Sequence, residues 1–266
     1  MGGKYKLLKE ILPLFPESIH TFVDLFGGGF NVGVNVEAEH IIYNDICEQV
    51  VRFLRYLQGS NVENLLSEID VYIEKYELTK ENKEGYLQFR EEYNSGIKTP
   101  MKFYTLLCYA FNNQIRFNKN GEYNMPFGKD RSSFNPTLRQ KFIDFHQRVN
   151  GIECIFLNVS FERFDFSKLG SSDFVYCDPP YFNSVAAYNE QGGWTEDHER
   201  ILLNTLDELN GRGIRFALSN NLKYENPLLD KWKDKYNVHY LSGNYSNCNY
   251  QKKDKSQDIE VLITNY

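Results

Sequence analysis

Apolar positions recur along this chain with two different spacings, and the change from one to the other divides it into three stretches. In the first, residues 4–14 carry helical spacing and residues 21–26 (TFVDLF) form an apolar run that ends in three glycines. Residues 31–36 predict a short helix, 41–43 a second strand and 46–57 a helix. Strand alternating with helix predicts a parallel sheet. Between residues 61 and 150 the strand signal nearly vanishes: Leu65, Leu66, Ile69, Tyr72, Ile73 and Tyr76 recur at helical spacing. Similar patterns follow over 86–93, 103–111 and 138–149. Asn120-Gly121 separates two short aromatic-bearing arms in the manner of a hairpin.

Alternation resumes with strands at 154–159, 173–177 and 214–220, and with a helix over 196–210 capped by Thr195. A helix near 227–236 and two final strands, NVHYLS and DIEVLITNY, complete the pattern as an antiparallel edge. The predicted architecture is α/β: a discontinuous sheet domain made of residues 1–57 and 151–266, interrupted by a mainly helical domain over 58–150 that carries one hairpin.

Composition changes this picture little, whereas charge changes it locally. At 266 residues the chain is long enough for a sizeable core, and 15% aromatic residues disfavour disorder. Five widely spaced cysteines form no C-x-x-C pair, so neither a disulfide framework nor a zinc knuckle is expected; free thiols fit a reducing cytoplasm. No apolar run approaches the roughly 18 residues a membrane span needs, and Lys6 stands where a myristoylation signal at Gly2 wants Ser or Thr. The net charge of −6 conceals segregation: residues 60–96 hold nine acids against four bases, and residues 97–150 hold nine bases against three acids. A basic stretch inside an acidic chain can bind phosphates.

Two constellations carry candidate chemistry. FVDLFGGGF opens a strand into Gly27, Gly28 and Gly29, which permit close approach of backbone to a ligand; no Gly-Lys-Ser/Thr follows, so it is not a P-loop. The second strand ends in Asp45, whose carboxylate can accept from ribose hydroxyls or cap the following helix. YCDPPY places Asp178 just past a strand end. There Pro179 and Pro180 fix two φ angles and remove two N–H donors, leaving a stiff array of acceptors. Strand ends of this kind are where open α/β sheets bind ligands.

With these motifs in order, together with GGKYKLL, NDI, FNNQIRFNKNGEYNMPFGK, LSN and EVLITNY, nearly the whole chain resembles the Dam-type (D12 class, alpha group) DNA adenine N6-methyltransferases of phages and bacteria. The resemblance implies a Rossmann-like S-adenosylmethionine-dependent methyltransferase domain with a mixed seven-stranded sheet, interrupted by a helical target-recognition domain. It implies that Gly3, Lys4, Asp24, Phe26, Gly27, Gly28, Gly29, Asp45, Phe161 and Asp178 bind S-adenosylmethionine. Asp178, Pro179, Pro180 and Tyr181 would form the catalytic loop. Phe111, Asn112, Gln114, Arg116, Asn118, Pro126, Lys129, Arg131 and Tyr188 would touch double-stranded DNA. Phe161 has simple core packing as its alternative, and Arg116, whose fork suits a guanine edge, has a phosphate contact or surface ion pair.

The sequence departs from the pattern at two points. The aromatic that usually stands two positions before the first glycine of the amino-terminal motif has no counterpart, and Gln114 stands where relatives reading GATC often carry an apolar side chain. GATC is the leading expectation for the recognition site, while a glutamine is suited to reading adenine.

The chemistry implied is transfer of a methyl group to N6 of an adenine flipped from the duplex. The Asp178 carboxylate and Pro179 carbonyl accept the amino hydrogens while Tyr181 stacks on the ring. Cys177 is then a buried strand residue rather than a nucleophile, and no metal is called for. The alternatives are amino-methylation of N4 of cytosine or of RNA, and a non-catalytic DNA-binding relative. A cytoplasmic setting in a bacterial or phage-infected cell, no membrane, and dimerisation on DNA complete the expectations.

Overall fold

The computed structural model describes residues 4–183, 193–241 and 259–266. Among them, no helix is long and apolar enough to cross a membrane. The described residues fall into two compact units: one is Cys47–Ile152, and the other is made from the residues on either side of that block in sequence.

The second unit is built on a seven-stranded mixed sheet. Its strands are β1 (Thr21–Asp24), β2 (His40–Asn44), β3 (Cys154–Leu157), β4 (Phe174–Cys177), β5 (Arg215–Asn221), β6 (Asn237–Tyr240) and β7 (Glu260–Thr264), in the order β3-β2-β1-β4-β5-β7-β6. Strands β1 to β5 run parallel, and β7 lies antiparallel between β5 and β6. Both β4 (FVYC) and β7 (EVLIT) are buried along their whole length, which is why they read as continuous apolar runs rather than as alternating ones. The two final strands do pair, but β7 is interior and only β6 lies at the edge, with Asn237 and Tyr240 exposed.

Helix α1 (Leu8–Ile11) is a single turn flanked by 3-10 turns Lys4–Leu7 and Leu12–Leu14. Residues 31–36 hold no α-helix, only the 3-10 turn Gly33–Asn35, because Phe30 bends the chain at φ 60° and the Asp24 carboxylate draws in the Gly33 N–H. Against one face of the sheet lies α7 (Glu196–Gly211). Its start is closed by a reciprocal cap between Thr195 and His198, and Leu202, Leu203, Leu206 and Leu209 are buried.

In the other unit lie α2 (Glu48–Leu57), α3 (Val62–Lys75), α4 (Lys83–Ser95), α5 (Pro100–Tyr109) and α6 (Pro136–Asn150). The side chains of Asn61, Asn82, Thr99 and Asn135 each accept an N–H from the first turn of α3, α4, α5 and α6, so every one of these helices begins where a short polar side chain can satisfy it. The pattern assigned α2 to the sheet domain. It packs instead on α5 and α6, with Phe53 stacked on Tyr104 at 4.8 Å, so the boundary falls before Cys47 rather than after Leu57. The core of this unit is largely aromatic, with Tyr86, Phe89, Tyr93, Phe103 and Tyr123 all buried. The short helix α8 (Pro227–Trp232) belongs to the sheet unit.

Candidate active site

Strand order reverses between β1 and β4, so their carboxyl ends open a crevice with no crossover above it. The register pairs Asp24 with Tyr176, which brings the tips carrying Asp24 and Asp178 side by side. Asp24 is fully buried. Burial, opposed by the Gly33 N–H at 3.1 Å and reinforced by Asp178 and Asp45, pushes its carboxyl up to about 7.

The glycine turn is locked from below. A side chain at Gly27 would come within 2.2 Å of the Tyr43 ring, and the Tyr43 hydroxyl donates to the Gly28 carbonyl at 2.7 Å. Gly28 itself sits at φ 50° and donates its N–H to Asp45 Oδ2 at 2.8 Å. Asp45 therefore ties the turn to the tip of β2. The N-cap of α2 is Cys47, whose side chain makes no cap bond.

Just before the segment 178–181, Tyr176 bonds Ser219 at 2.7 Å and Cys177 is wholly buried. Burial, with Asp24 and Asp178 nearby, holds the Cys177 thiol well above its usual range, so it is a poor source of thiolate. Pro179 is buried and Asp178 is partly exposed. The Lys4 ammonium lies 2.9 Å from Asp178 Oδ1 and 3.6 Å from Glu260 Oε2, with 3% of its side chain exposed. The Tyr181 hydroxyl meets Lys4, donates to Glu260 Oε2 at 3.1 Å and reaches Asp178 Oδ1 at 3.4 Å. Burial and the neighbouring Asp178 hold the Glu260 carboxyl above its usual range, against the pull of Lys4.

Phe26, Phe161 and Trp194 form an aromatic group with centroids 5.2 to 5.7 Å apart. The Trp194 indole N–H donates to buried Glu199, which also accepts from Asn226 at 2.7 Å. At the tip of β5 the Asn220 Nδ2 is buried without a hydrogen-bond partner, a donor of the kind a ligand acceptor would satisfy.

The helical unit gathers a different set. The Phe111 N–H bonds the Pro126 carbonyl at 2.9 Å, and bridges Ala110 to Phe127 and Phe117 to Tyr123 close a hairpin around them. Asn112 and Asn113 are both left-handed, at φ 53° and 50°, and Phe111, Asn112 and Pro126 are exposed. Arg116 is held by Asn124 twice, Nε to Oδ1 at 2.8 Å and Nη2 to the carbonyl at 2.9 Å. Asn118 closes the turn, accepting from the N–H groups of Asn120 and Glu122, so this side chain serves the hairpin itself. Gln114 is half-buried, and Lys129 and Arg131 are exposed beyond the second arm. Gly3 and Tyr188 lie outside the described residues.

Trp194, Glu260 and Asn124 were not singled out by the sequence. Glu260 had a signal, as an acid opening an otherwise apolar strand; the others had none. Away from the strand tips, His20, Glu39 and His40 are exposed at the amino ends of β1 and β2 with donor atoms within 4.8 Å of one another.

A mixed sheet of this order, with a glycine turn after β1 and acids at the tips of β1, β2 and β4, defines a Rossmann-like methyltransferase fold. Over residues 1–247 the chain matches the family described as D12 class N6 adenine-specific DNA methyltransferase, and it belongs to that family. It is 47% identical over 273 residues to the type II methyltransferase M.FokI of Planomicrobium okeanokoites, and 42% identical over 275 residues to the modification methylase StsI of Streptococcus sanguinis. Each of those alignments covers 100% of this chain and 42% of the relative, so the chain spans less than half the length of these two proteins. The DNA adenine methylase of Escherichia coli K12 is 24% identical over 247 residues, covering 90% of this chain and 84% of that protein.

Proposed function

We propose that this chain transfers a methyl group from S-adenosylmethionine to N6 of an adenine flipped out of a short site in duplex DNA. The observation that carries the reading is the placing of Asp24 and Asp178 at the tips of adjacent strands where the sheet order reverses, in a chain of this family. The residues present fit the cofactor. A glycine turn approaches closely, Asp45 stands beside it, and Asp24 is a buried acid that a cationic ligand would return to its ionised form. Gly27, Gly28, Asp24, Asp45 and the Phe26–Phe161 pair would hold it, and its sulfonium supplies a methyl group already activated for transfer.

The chain's own part is acceptance and orientation. Adenine N6 is a weak nucleophile because its lone pair is drawn into the ring. The Asp178 carboxylate and Pro179 carbonyl accept its two hydrogens, which favours the positive charge that grows on nitrogen in the transition state. The carboxylate is also the nearest base for the proton that N6 gives up afterwards. Pro179 and Pro180 keep this array stiff, and Tyr181 supplies a ring for stacking.

In the helical unit, Arg116, aligned by Asn124, would read a guanine edge, and Phe111 and Asn112 would fill the space the base leaves. Lys129 and Arg131 suit phosphates. GATC is supported by the resemblance to Dam-type enzymes and opposed by Gln114, which suits an adenine edge. StsI is named a modification methylase, which supports a DNA-marking role for this chain as part of the same proposal.

The test is incubation of the protein with labelled S-adenosylmethionine and plasmid DNA, followed by mapping of methylated bases. N6-methyladenine at one short motif is the expected result. Label only in cytosine or RNA would move the target, and DNA binding without transfer to any substrate would overturn the enzymatic reading.

A further inference from the structure

Three groups surround Asp178, and two of them are donors that compete with the substrate for it. Lys4 Nζ is at 2.9 Å and the Tyr181 hydroxyl at 3.4 Å, both on Oδ1. A carboxylate fully committed to a buried ammonium is a poor acceptor for a neutral amino group, because the cation lowers the electron density the N–H bonds would draw on. Left alone with Lys4, Asp178 would be a weakened acceptor. The third group, Glu260, changes this. Its Oε2 takes both donors, Lys4 at 3.6 Å and Tyr181 at 3.1 Å, while its Oε1 is anchored by the Asn221 amide at 2.9 Å. Its side chain is 3% exposed, in an interior strand, so it cannot move away.

We propose that Glu260 is a positioning residue for Asp178: it shares the Lys4 ammonium and holds the Tyr181 hydroxyl, so that Asp178 keeps an acceptor site for the target amino group. The inference rests on the methyl-transfer reading above. One ammonium between two carboxylates leaves a net negative charge, and that surplus makes the strand tip an acceptor rather than a closed ion pair. When the base arrives, the two donors have Glu260 to go to. They need not be expelled into water or left unpaired.

Glu260→Gln removes the charge while nearly keeping the shape. Of the two carboxylates described beside Lys4, Asp178 alone then stays charged, and the pair closes. The expected result is a loss in kcat of about tenfold or more, with affinity for S-adenosylmethionine within about threefold of the parent. Glu260→Asp, which keeps the charge, recovers most of the rate. Equal losses in the two variants would mean that Glu260 serves packing alone, and an unchanged kcat in Glu260→Gln would remove it from the site; either overturns the proposal.

A second measurement does not need turnover. The thermal stabilities of Lys4→Met, Asp178→Asn and their double variant, with and without Glu260→Gln, give the Lys4–Asp178 coupling in each background. It is expected to be stronger, read as a larger non-additive shift in Tm, when Glu260 is neutral; an unchanged coupling overturns the proposal. Should the parent protein methylate nothing, the functional reading fails, while this coupling still decides the role of Glu260.

Discussion

At the strand tips, Lys4, Asp178, Tyr181 and Glu260 come from distant parts of the chain and are joined in an interior ion network. In the hairpin, the side-chain bonds described for Arg116 and Asn118 run to residues 2, 4 or 8 positions away. The first region buries Lys4 and Glu260, leaves Asp178 partly exposed, and satisfies these charges among themselves. The second leaves Phe111, Asn112, Pro126, Lys129 and Arg131 exposed and spends backbone strain, with two consecutive left-handed asparagines, on presenting them. Chemistry on a flipped base needs a dry, preorganised acceptor, whereas reading a groove needs side chains that reach outward. The difference shows what each region can tolerate: a single change at the tips should cost rate, and a single change in the hairpin should cost discrimination.

The sharpest way to break the comparison is Asp178→Ala. Methyl transfer should fall by about a thousandfold or more, with affinity for the cofactor changed little. Single-turnover transfer and equilibrium binding measure the two separately, and substantial residual activity would take Asp178 out of its role.

In the hairpin, Arg116→Ala should relax one position of the recognition site by about 1–3 kcal/mol, seen as methylation of near-cognate sites. Uniform weakening on all sequences, with a shallower salt dependence, would make Arg116 a phosphate contact. Asn124→Ala should act in the same direction and less strongly.

Gly27→Ala probes the turn beneath the tips. The added methyl would meet the Tyr43 ring at 2.2 Å, and the strain should cost about 1–3 kcal/mol of stability in urea unfolding. Gly28→Ala, whose methyl would meet only the Phe26 carbonyl at 4.0 Å but which sits at φ 50°, should cost about 1 kcal/mol.

A separate effect is expected on pH dependence. Asp24 is raised from an ordinary carboxylate value of 3.8 to about 7. The folded chain therefore holds a proton that the unfolded chain releases in that window. Its contribution makes the ligand-free protein more stable as pH falls from about 7 towards 4. Asp24→Asn should flatten that part of the Tm profile. A cationic ligand that favours the ionised carboxylate should bind more tightly as pH rises through the same range.

Much of the sheet was legible because β1, β4 and β5 carry apolar runs that are buried on both faces, and because Asp24 ends a strand while Asp45 and Asp178 directly follow one. The hairpin was legible from Asn120-Gly121 for the same reason, since its geometry is local. What could not be read was set by pairing between distant residues. The interior place of β7 depends on which strand β5 accepts as its neighbour, and the placing of α2 depends on the faces of α5 and α6. Trp194 packs beside Phe26 and Phe161 because a helix start and two strand ends meet, and no spacing along the chain records that. Residues 31–36 carry helical spacing but form only a short turn at Gly33, because a buried carboxylate, not local propensity, takes its N–H.

The insertion of β7 between β5 and β6 also has a kinetic meaning. Glu260 opens that strand, so the ion network at Asp178 cannot assemble until an antiparallel strand from late in the chain has docked beside a parallel one. Contacts between residues so far apart in sequence form late. Lys4, Asp178 and Glu260 are all far apart in sequence, so recovery of activity on refolding should lag behind recovery of helical signal.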